Sequence, residues 1–217
     1  MKDILDKAKL WLTPTFDTET QTEIQELING NPDALTDRFY KNMEFGTGGM
    51  RGVMGAGTNR INKYTLGRAT QGLSNYLIEN VKKEQLSVVI AFDCRHNSKK
   101  FAKVVADVLS ANNIKVFLFE DLRATPELSF AVRHLNCDAG IVLTASHNPP
   151  EYNGYKVYWA DGGQIVPPHD SGIISKVNDL DFSEINFNAK EELIEVIGKD
   201  VDDAFIDGSV KNGCLSN

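Results

Sequence analysis

The amino-acid sequence predicts an α/β fold, in which a mixed, largely parallel sheet is flanked by helices on both faces and preceded by an N-terminal helical extension. Three short β-branched or apolar runs, at residues 87–92, 114–119 and 139–143, are separated by amphipathic segments of helical length. Strands joined in this way form right-handed crossovers in a parallel sheet. The 217 residues are 41% hydrophobic and 24% charged, a composition that excludes collagen-like, disordered and disulfide-scaffold proteins.

Residues 1–43 are predicted to form the helical extension. Leu5, Ala8 and Leu12 recur at helical spacing, and Gly-Asn-Pro at 30–32 interrupts the pattern before it resumes. Because no candidate catalytic side chain stands out here, we expect the extension to have a packing role.

Residues 44–63 form a glycine-rich segment, with glycines at 46, 48, 49, 52, 55 and 57. Glycines let backbone N–H groups approach an anion closely, and Arg51 among them can pair with a phosphate in bidentate fashion. The segment is not a Walker loop, because no Gly-Lys-Ser/Thr follows. Nor is it a dinucleotide-binding fingerprint, because Arg51 takes the place of the third glycine. A structural glycine turn with a solvated arginine explains the spacing equally well.

Helices and strands alternate from Tyr64 onward. The pattern predicts, in order, a helix over 64–81, a strand over 87–92, a helix capped by Ser98, a strand over 114–119, a helix capped by Thr125 with Pro126 as its first residue, and a strand over 139–143. Residues 155–159 alternate in polarity before a turn signal at 161–163, which indicates a mixed edge to the sheet. After Pro168 the chain is acidic, and its weak periodicity predicts helix.

Two polar loops, at residues 93–98 and 144–150, follow strands of the predicted sheet. Ligands of open α/β sheets bind at the carboxyl ends of the strands, so these loops mark the candidate site. In the first loop, Asp93 and Arg95 are expected to form an ion pair that supports the loop, and this structural role is favoured over a catalytic one.

Ser146, in the second loop, is a candidate nucleophile because it follows a buried strand and precedes two prolines. A serine turn that ends the strand is the alternative. A hydrolase triad fits poorly, because no Gly-x-Ser-x-Gly elbow surrounds Ser146 and the side chain of the adjacent His147 is expected to diverge from it in extended backbone. A serine can also carry a phosphoryl group, which requires cations and N–H donors nearby.

Lys156 lies in a strand that is expected to return beside the serine loop. A partly desolvated lysine near a phosphate can donate or accept a proton. The alternative is an exposed lysine on a strand, without a role in chemistry.

The charge is unevenly distributed along the chain. Residues 170–217 hold 11 acidic and 4 basic side chains, whereas residues 1–169 hold 19 of each. The absence of excess positive charge in residues 1–169 argues against a nucleic-acid partner.

The apolar runs are too short to cross a bilayer, and the N-terminal residues lack the apolar core of a signal peptide. Three cysteines, Cys94, Cys137 and Cys214, have no metal or redox spacing, so we expect reduced thiols in a cytoplasmic protein without a membrane partner.

Four segments together resemble the α-D-phosphohexomutase superfamily. Residues 45–52 (Phe-Gly-Thr-Gly-Gly-Met-Arg-Gly) resemble its N-terminal signature, and 144–149 (Thr-Ala-Ser-His-Asn-Pro) resemble its phosphoserine loop. Residues 153–156 (Asn-Gly-Tyr-Lys) match the element that follows this loop, and 93–95 (Asp-Cys-Arg) resemble another segment of the superfamily. The helical extension resembles the branch that holds phosphoglucomutases and the larger phosphopentomutases.

The resemblance implies a phosphoglucomutase or phosphomannomutase, which interconverts hexose 1-phosphate and hexose 6-phosphate through a phosphoserine and a sugar bisphosphate. It implies Mg²⁺, one ligand of which is the phosphate on Ser146, and glucose 1,6-bisphosphate as activator. The implied roles are Ser146 as phosphoserine nucleophile, Lys156 as general acid/base, His147 as its assistant, Arg51 as the group that stabilises phosphoryl charge, and Thr47, Gly48 and Asn148 as ligands of the phosphosugar substrate.

The resemblance also implies a domain division and an incomplete molecule. We expect a helical extension at 1–43, the phosphoserine domain at 44–200 and the start of a truncated second domain at 201–217. The missing domains of the same polypeptide would be its partners, and the chain alone would have little activity. Residues 200–203 (Asp-Val-Asp-Asp) lack the pattern of a metal loop and are interpreted as a solvated helix face. A phosphopentomutase and a non-catalytic phosphate-binding or interaction module remain as alternatives.

Overall fold

The computed structural model describes residues 2–211 of the chain. Within this range there are eight α-helices, six strands and two short 3₁₀ turns. The helices are α1 (Lys2–Leu10), α2 (Thr18–Gly30), α3 (Pro32–Phe39), α4 (Lys63–Asn80), α5 (Ser98–Ala111), α6 (Thr125–His134), α7 (His169–Asp179) and α8 (Lys199–Lys211). The strands are β1 (Met50–Val53), β2 (Ser87–Phe92), β3 (Lys115–Phe119), β4 (Ala139–Leu143), β5 (Tyr152–Trp159) and β6 (Ile194–Ile197).

The six strands form one mixed sheet in the order β1-β5-β4-β2-β3-β6. Strands β4, β2, β3 and β6 are parallel, and β5 and β1 continue the sheet in antiparallel pairings. The predicted fold class is therefore confirmed. The side chains of β2 and β4 are buried on both faces of the sheet, which explains why these strands appear in the sequence as continuous apolar runs.

Helices cover both faces of the sheet. On one face, α4, α5 and α7 bury Leu73, Val105 and Ile173 against the sheet. On the other face, α6 and α8 pack over Val89 and Val142. This arrangement places the loops that follow β2 and β4 at one edge of the sheet, where the carboxyl ends of the parallel strands meet.

The helical extension is confirmed as three helices that build their own apolar cluster. Trp11 stacks on Phe16 with ring centroids 4.4 Å apart and meets Phe39 edge to face. Tyr64, at the start of α4, also belongs to this cluster, and its hydroxyl donates to the Asp17 carboxylate at 3.0 Å. Burial and the Asp17 carboxylate raise the pKa of Tyr64 to about 12, so the hydroxyl keeps its proton in this contact.

Two of the strands were not predicted. Strand β1 lies inside the glycine-rich segment, and β6 lies in the region predicted as helix, a prediction that is wrong for Ile194–Ile197. Each has only four residues and occupies an edge of the sheet. The backbone pairing of β6 with β3 stabilises the extended form, which outweighs the weak helical periodicity.

Two predicted helix caps differ from the structure. Helix α5 begins at Ser98, but its N-cap is Asn97, and the Ser98 hydroxyl donates to the Asp93 carboxylate at 3.0 Å. Helix α6 begins at Thr125 itself, with Ala124 as its N-cap. The predictions of Ser98 and Thr125 as N-cap residues were therefore both wrong. At Ser98 the hydroxyl has a stronger, charged acceptor, and at Thr125 the helix starts one residue earlier than predicted.

Helix α8 runs across the boundary predicted between residues 200 and 201. Val201 is buried against α6, and Asp202 accepts two hydrogen bonds from Arg123, at 2.6 and 2.7 Å. The interpretation of residues 200–203 as a solvated helix face is therefore wrong for these two residues. The domain division remains a prediction.

Other expectations concern the cysteines and the membrane. Cys94 is an exposed free thiol and Cys137 a buried one, whereas Cys214 lies outside the described residues. None of the helices in residues 2–211 combines the length and apolar character that crossing a membrane requires.

Candidate active site

Ser146 sits at an exposed position in the loop between β4 and β5. Its backbone is left-handed, with φ of +56°, a conformation uncommon for a residue other than glycine. Its N–H donates to the Thr144 hydroxyl at 3.0 Å, and the preceding Ala145 is completely buried. The loop is thus anchored on its inner side while the Ser146 hydroxyl faces solvent.

The left-handed backbone of Ser146 brings its hydroxyl to the adjacent imidazole. Ser146 Oγ and His147 Nδ1 are 3.4 Å apart, at the long end of hydrogen-bond distance. The expectation that these neighbouring side chains diverge is therefore wrong, because it assumed extended backbone. Among the described residues, no carboxylate holds His147 in the manner of a hydrolase triad.

Arg95 holds this loop from behind through backbone carbonyls. Its guanidinium donates to the carbonyl oxygens of Ser146 at 2.7 Å, Asn148 at 2.6 Å, Pro149 at 2.9 Å and Tyr152 at 3.1 Å. The side chain is only 11% exposed. The predicted supporting role of Arg95 is thus directed at the loop that carries Ser146.

A second layer of polar contacts holds Arg95 in place. The predicted ion pair with Asp93 is present at 3.6 Å, and Asp93 also accepts from the Ser98 hydroxyl at 3.0 Å. Asn153, which is completely buried, donates to Ser98 Oγ at 2.9 Å and to the His96 carbonyl at 3.0 Å. The loop after β2 is therefore tied to the first turn of α5 and to β5.

The glycine-rich segment forms a tight turn that packs on β5. Gly46 and Gly49 exchange two backbone hydrogen bonds, at 3.0 and 2.7 Å, with Thr47 and Gly48 at the tip of the turn. Gly49 has φ of +86°, and a Cβ there would lie 1.9 Å from the carbonyl oxygen of Tyr155. This position therefore requires glycine, whereas a Cβ at Gly48 would meet nothing closer than 3.8 Å.

Thr47 and Gly48, both expected to bind substrate, lie at the exposed tip of this turn. The Thr47 hydroxyl donates to the buried Asp170 carboxylate at 2.7 Å. Thr47 thus fixes the turn to the first turn of α7. Thr47 and Asp170 are 123 residues apart, so this contact could not be predicted from local residue spacing.

Arg51 reaches the serine loop from β1. It pairs across the ladder with Gly154, where a Cβ would come within 2.6 Å of the Thr144 carbonyl oxygen. This close approach places β1 beside the loop, and Arg51 Nη1 donates to Asn148 Oδ1 at 2.9 Å. Three predicted site residues, Arg51, Asn148 and Ser146, are therefore brought together in one place.

Lys156 lies on β5 opposite Val142, one pair before the end of β4. Its side chain is half-buried, and within residues 2–211 its amino group makes neither a hydrogen bond nor an ion pair. A Cβ at Gly49 would lie 3.0 Å from the Lys156 Cα, so the glycine turn packs directly against this strand position. The structure does not bring the Lys156 amino group into contact with Ser146.

A cavity of about 450 Å³ opens beside Arg51, between the extension and β1. Two further cations line it, and each already has a carboxylate partner: Arg60 pairs with Asp37, and Lys41 with Glu44. Arg51 has no carboxylate partner among the described residues. Its guanidinium is therefore the group in this cavity that an incoming anion can neutralise.

The residues around Ser146 do not form a metal site by themselves. Across residues 2–211, no group of three or more histidine, cysteine, aspartate or glutamate side chains is placed to hold a metal ion. A phosphate on Ser146 would supply one oxygen ligand, but in the described part of the chain the carboxylates that Mg²⁺ prefers are not gathered beside it.

The fold and the site define an α/β/α domain that presents an exposed serine beside an arginine at the carboxyl end of its sheet. The chain belongs to the phosphoglucomutase/phosphomannomutase family, because residues 42–184 match the model of that family's alpha/beta/alpha domain I. The resemblance of its motifs to the α-D-phosphohexomutase superfamily is thereby confirmed.

The relatives of known name include phosphoglucomutases and phosphopentomutases. The chain is 42% identical over 173 residues to a phosphoglucomutase of Staphylococcus haemolyticus, with 79% of this chain and 31% of that protein covered. It is 39% identical over 207 residues to a phosphopentomutase of Homo sapiens, with 92% and 32% covered. The chain thus spans about a third of the length of the curated relatives it matches.

Solved structures share the fold. A protein of Thermus thermophilus, provisionally described as a phosphomannomutase, superposes with a TM-score of 0.63 at 32% identity, covering 72% of this chain and 33% of that one. A phosphoglucomutase/phosphomannomutase family protein of Burkholderia thailandensis superposes with a TM-score of 0.57 at 24% identity, covering 81% and 36%. The second likeness bears on the fold alone.

Proposed function

We propose that Ser146 carries a phosphoryl group and exchanges it with a sugar phosphate, as part of a phosphoglucomutase or phosphomannomutase. The observation that carries the proposal is the exposed Ser146 hydroxyl on a loop held by Arg95, with Arg51 joined to the same loop through Asn148. A nucleophile needs exposure and a fixed position, and a transferring phosphoryl group needs a nearby cation.

The first half of the proposed reaction moves the phosphoryl group from Ser146 to the sugar. A substrate hydroxyl oxygen attacks phosphorus, the bond from phosphorus to Ser146 Oγ breaks, and Lys156 accepts the hydroxyl proton. His147 donates a proton to the departing Ser146 oxygen, from which its Nδ1 is 3.4 Å away. Arg51 stabilises the charge on the equatorial oxygens during transfer.

The second half regenerates the phosphoserine from the sugar bisphosphate. After the bisphosphate has turned over, Ser146 Oγ attacks its other phosphorus and gives its proton to His147. The bond from that phosphorus to the sugar oxygen breaks, and Lys156 returns a proton to this oxygen. Both bases end in their starting protonation states, so no other reactant is consumed.

The substrate is proposed as a class, a phosphosugar. Relatives named phosphoglucomutase and phosphopentomutase both match, so a phosphopentomutase remains the alternative within the superfamily. A non-catalytic phosphate-binding or interaction module is the alternative from another class. The module hypothesis predicts that Ser146→Ala leaves function intact, whereas the enzyme hypothesis predicts loss of phosphoryl transfer.

Several further expectations belong to this proposal. Because the chain spans about a third of its relatives, we propose that it is one part of a mutase and turns over little substrate alone. The remaining domains would supply ligands for Mg²⁺ and for the distal part of the phosphosugar, and glucose 1,6-bisphosphate would act as activator. A cytoplasmic location is proposed on the free thiols of Cys94 and Cys137.

Peptide mass spectrometry tests the proposal. The chain is incubated with glucose 1,6-bisphosphate and Mg²⁺, digested and mapped, with Ser146→Ala as the matched control. We expect one phosphoryl group on the peptide that contains Ser146 and none on the variant. A phosphoryl group on another residue, or equal incorporation into the variant, would contradict the assignment of Ser146.

A further inference from the structure

We propose that Arg95 is a positioning residue, which sets the conformation of the nucleophile loop through its backbone and thereby the rate of phosphoryl transfer at Ser146. This inference rests on the function proposed above. Arg95 does not contact Ser146 Oγ, so its effect on the reaction passes through the loop carbonyls.

The first argument is the number and placement of the contacts. Four carbonyl groups of residues 146–152 accept hydrogen bonds from one guanidinium, at 2.6 to 3.1 Å. The residues between β4 and β5 form no ladder, so the carbonyls of Ser146 and Asn148 depend on donors such as Arg95. The Pro149 carbonyl also accepts from the Tyr152 N–H at 3.0 Å, and Tyr152 itself is the first residue of β5. A planar guanidinium offers five N–H donors in a fixed geometry, which a lysine ammonium cannot reproduce.

The second argument is the backbone of the nucleophile itself. Ser146 has φ of +56°, which a residue with a Cβ adopts only when its surroundings determine it. Its own carbonyl oxygen accepts from Arg95 at 2.7 Å, and its N–H donates to Thr144 Oγ1 at 3.0 Å. These two bonds hold the peptide groups on either side of the Ser146 Cα, so they fix the direction of its side chain.

The third argument is that Arg95 is held by residues outside the loop that it contacts. Asp93 lies 3.6 Å from Arg95 Nε and accepts from the Arg95 N–H at 3.1 Å. Asp93 is held in turn by Ser98, which accepts from the buried Asn153. The residues that hold Arg95 are therefore anchored on α5 and β5, outside the loop that Arg95 contacts.

Arg95 is also linked to Arg51, on β1, through Asn148. Arg95 binds the Asn148 carbonyl at 2.6 Å, while Arg51 binds the Asn148 side chain at 2.9 Å. Asn148 thus lies between the two guanidinium groups. Loss of Arg95 is expected to displace both the nucleophile and the group that Arg51 contacts.

The test compares Arg95→Lys with Arg68→Lys in the full 217-residue chain. Arg68 is a matched control, because it is also partly buried and donates to two carbonyls, Val177 at 2.9 Å and Asn178 at 3.1 Å, but contacts no residue of the serine loop. The single-turnover rate of Ser146 phosphorylation is measured against glucose 1,6-bisphosphate concentration. Amide hydrogen exchange of residues 144–152 is measured in parallel.

For Arg95→Lys we expect a fall of about tenfold or more in the saturating rate, with a change of about twofold or less in the half-saturating concentration. Exchange should accelerate in residues 144–152 and stay unchanged in the helices. Arg68→Lys should leave the transfer rate unaltered. Guanidinium ion at a non-denaturing concentration should restore part of the rate to Arg95→Ala, whereas sodium chloride at the same concentration should not.

Wild-type transfer rate and loop exchange in Arg95→Lys would overturn the inference and leave the proposed function standing. If Arg95→Lys fails to fold, Asp93→Asn replaces it, since that variant keeps the guanidinium but loosens its orientation; a wild-type rate and exchange in Asp93→Asn would equally overturn the inference. If the wild-type chain takes up no phosphoryl group, residues 1–217 do not load Ser146 without the remaining domains. Loop exchange then decides whether Arg95 positions Ser146.

Discussion

The guanidinium of Arg51 donates to the side-chain oxygen of Asn148 at 2.9 Å, across 97 residues of sequence. This bond joins the edge strand β1 to the loop that carries Ser146. It also leaves Arg51 facing a cavity in which the other two cations are paired with carboxylates. The serine and its candidate cation are thus placed by two different parts of the sheet.

Replacing Arg51 should reduce phosphoryl transfer and leave the fold intact. Arg51→Gln removes the charge from an exposed side chain, so we expect a rate lower by about 10²-fold, the usual effect of losing a transition-state donor. The measurement is single-turnover phosphorylation of Ser146, with unfolding in urea as the check on folding. Lys41→Gln, in the same cavity, is the control, and an equal loss of rate in that variant would contradict a specific role for Arg51.

Gly49→Ala should destabilise the chain much more than Gly48→Ala. A Cβ at Gly49 would lie 1.9 Å from the Tyr155 carbonyl oxygen, and φ is +86°, whereas a Cβ at Gly48 would make only an ordinary contact at 3.8 Å. We expect a loss of about 2 kcal/mol or more in the free energy of unfolding for Gly49→Ala and less than about 0.5 kcal/mol for Gly48→Ala. Urea unfolding measures both, and similar values for the two variants would show that the turn adapts.

Tyr64→Phe should loosen the helical extension. The Tyr64 hydroxyl donates to the Asp17 carboxylate at 3.0 Å and accepts from the Asp17 N–H at 2.6 Å. Removing it costs about 1–3 kcal/mol, since Asp17 is only partly able to recover its bonds from water. Hydrogen exchange should rise in α1 and α2 and stay constant in β2 and β4. Uniform acceleration in all elements would instead indicate a global effect.

Ionisation of Glu127 should lower the free energy of unfolding as pH rises. Burial, followed by the neighbouring Asp202, raises the pKa of Glu127 from 4.5 to about 7. Since the folded chain holds this proton more tightly than the unfolded chain, stability is fully present below about pH 4.5 and is lost as pH rises through about 7. Above that range Glu127 and Asp202 are both charged and share Arg123, which lies 3.6 Å from Glu127.

Glu127→Gln should remove this pH dependence. Unfolding in urea at about pH 5 and about pH 8 is compared for both proteins, and the wild type should lose more stability between the two values than the variant. An identical pH dependence would show that Glu127 keeps its ordinary pKa in the folded chain.

The sheet could be predicted from sequence where burial determines the residue types. The apolar runs at β2 and β4 match the observed strands because both faces of these strands are covered by helices. The edge strands β1 and β6 could not be predicted in this way. They are short and partly exposed, and their extended form comes from pairing with a neighbour that is distant in sequence.

The segments that form the candidate site could be predicted from the sequence, but several contacts between their residues could not. Motif resemblance brought Ser146, Arg51 and Asn148 into one hypothesis, and the structure places them together. The contact between Ser146 and His147 was missed because a positive φ at serine has no signature in residue type. The hydrogen bonds from Arg95 to this loop were missed because the four acceptors are backbone carbonyls, which every residue carries.

The most direct measurement of the central claim is a pulse and chase of the phosphoryl group on Ser146. The chain is exposed to glucose 1,6-bisphosphate with Mg²⁺, freed of excess reagent and then mixed with glucose 1-phosphate, while the mass of the Ser146 peptide is followed. We predict that one phosphoryl group appears on this peptide and leaves it during the chase, and that Ser146→Ala shows neither event. A phosphoryl group that stays on this peptide throughout the chase, or incorporation that persists in Ser146→Ala, would contradict the account.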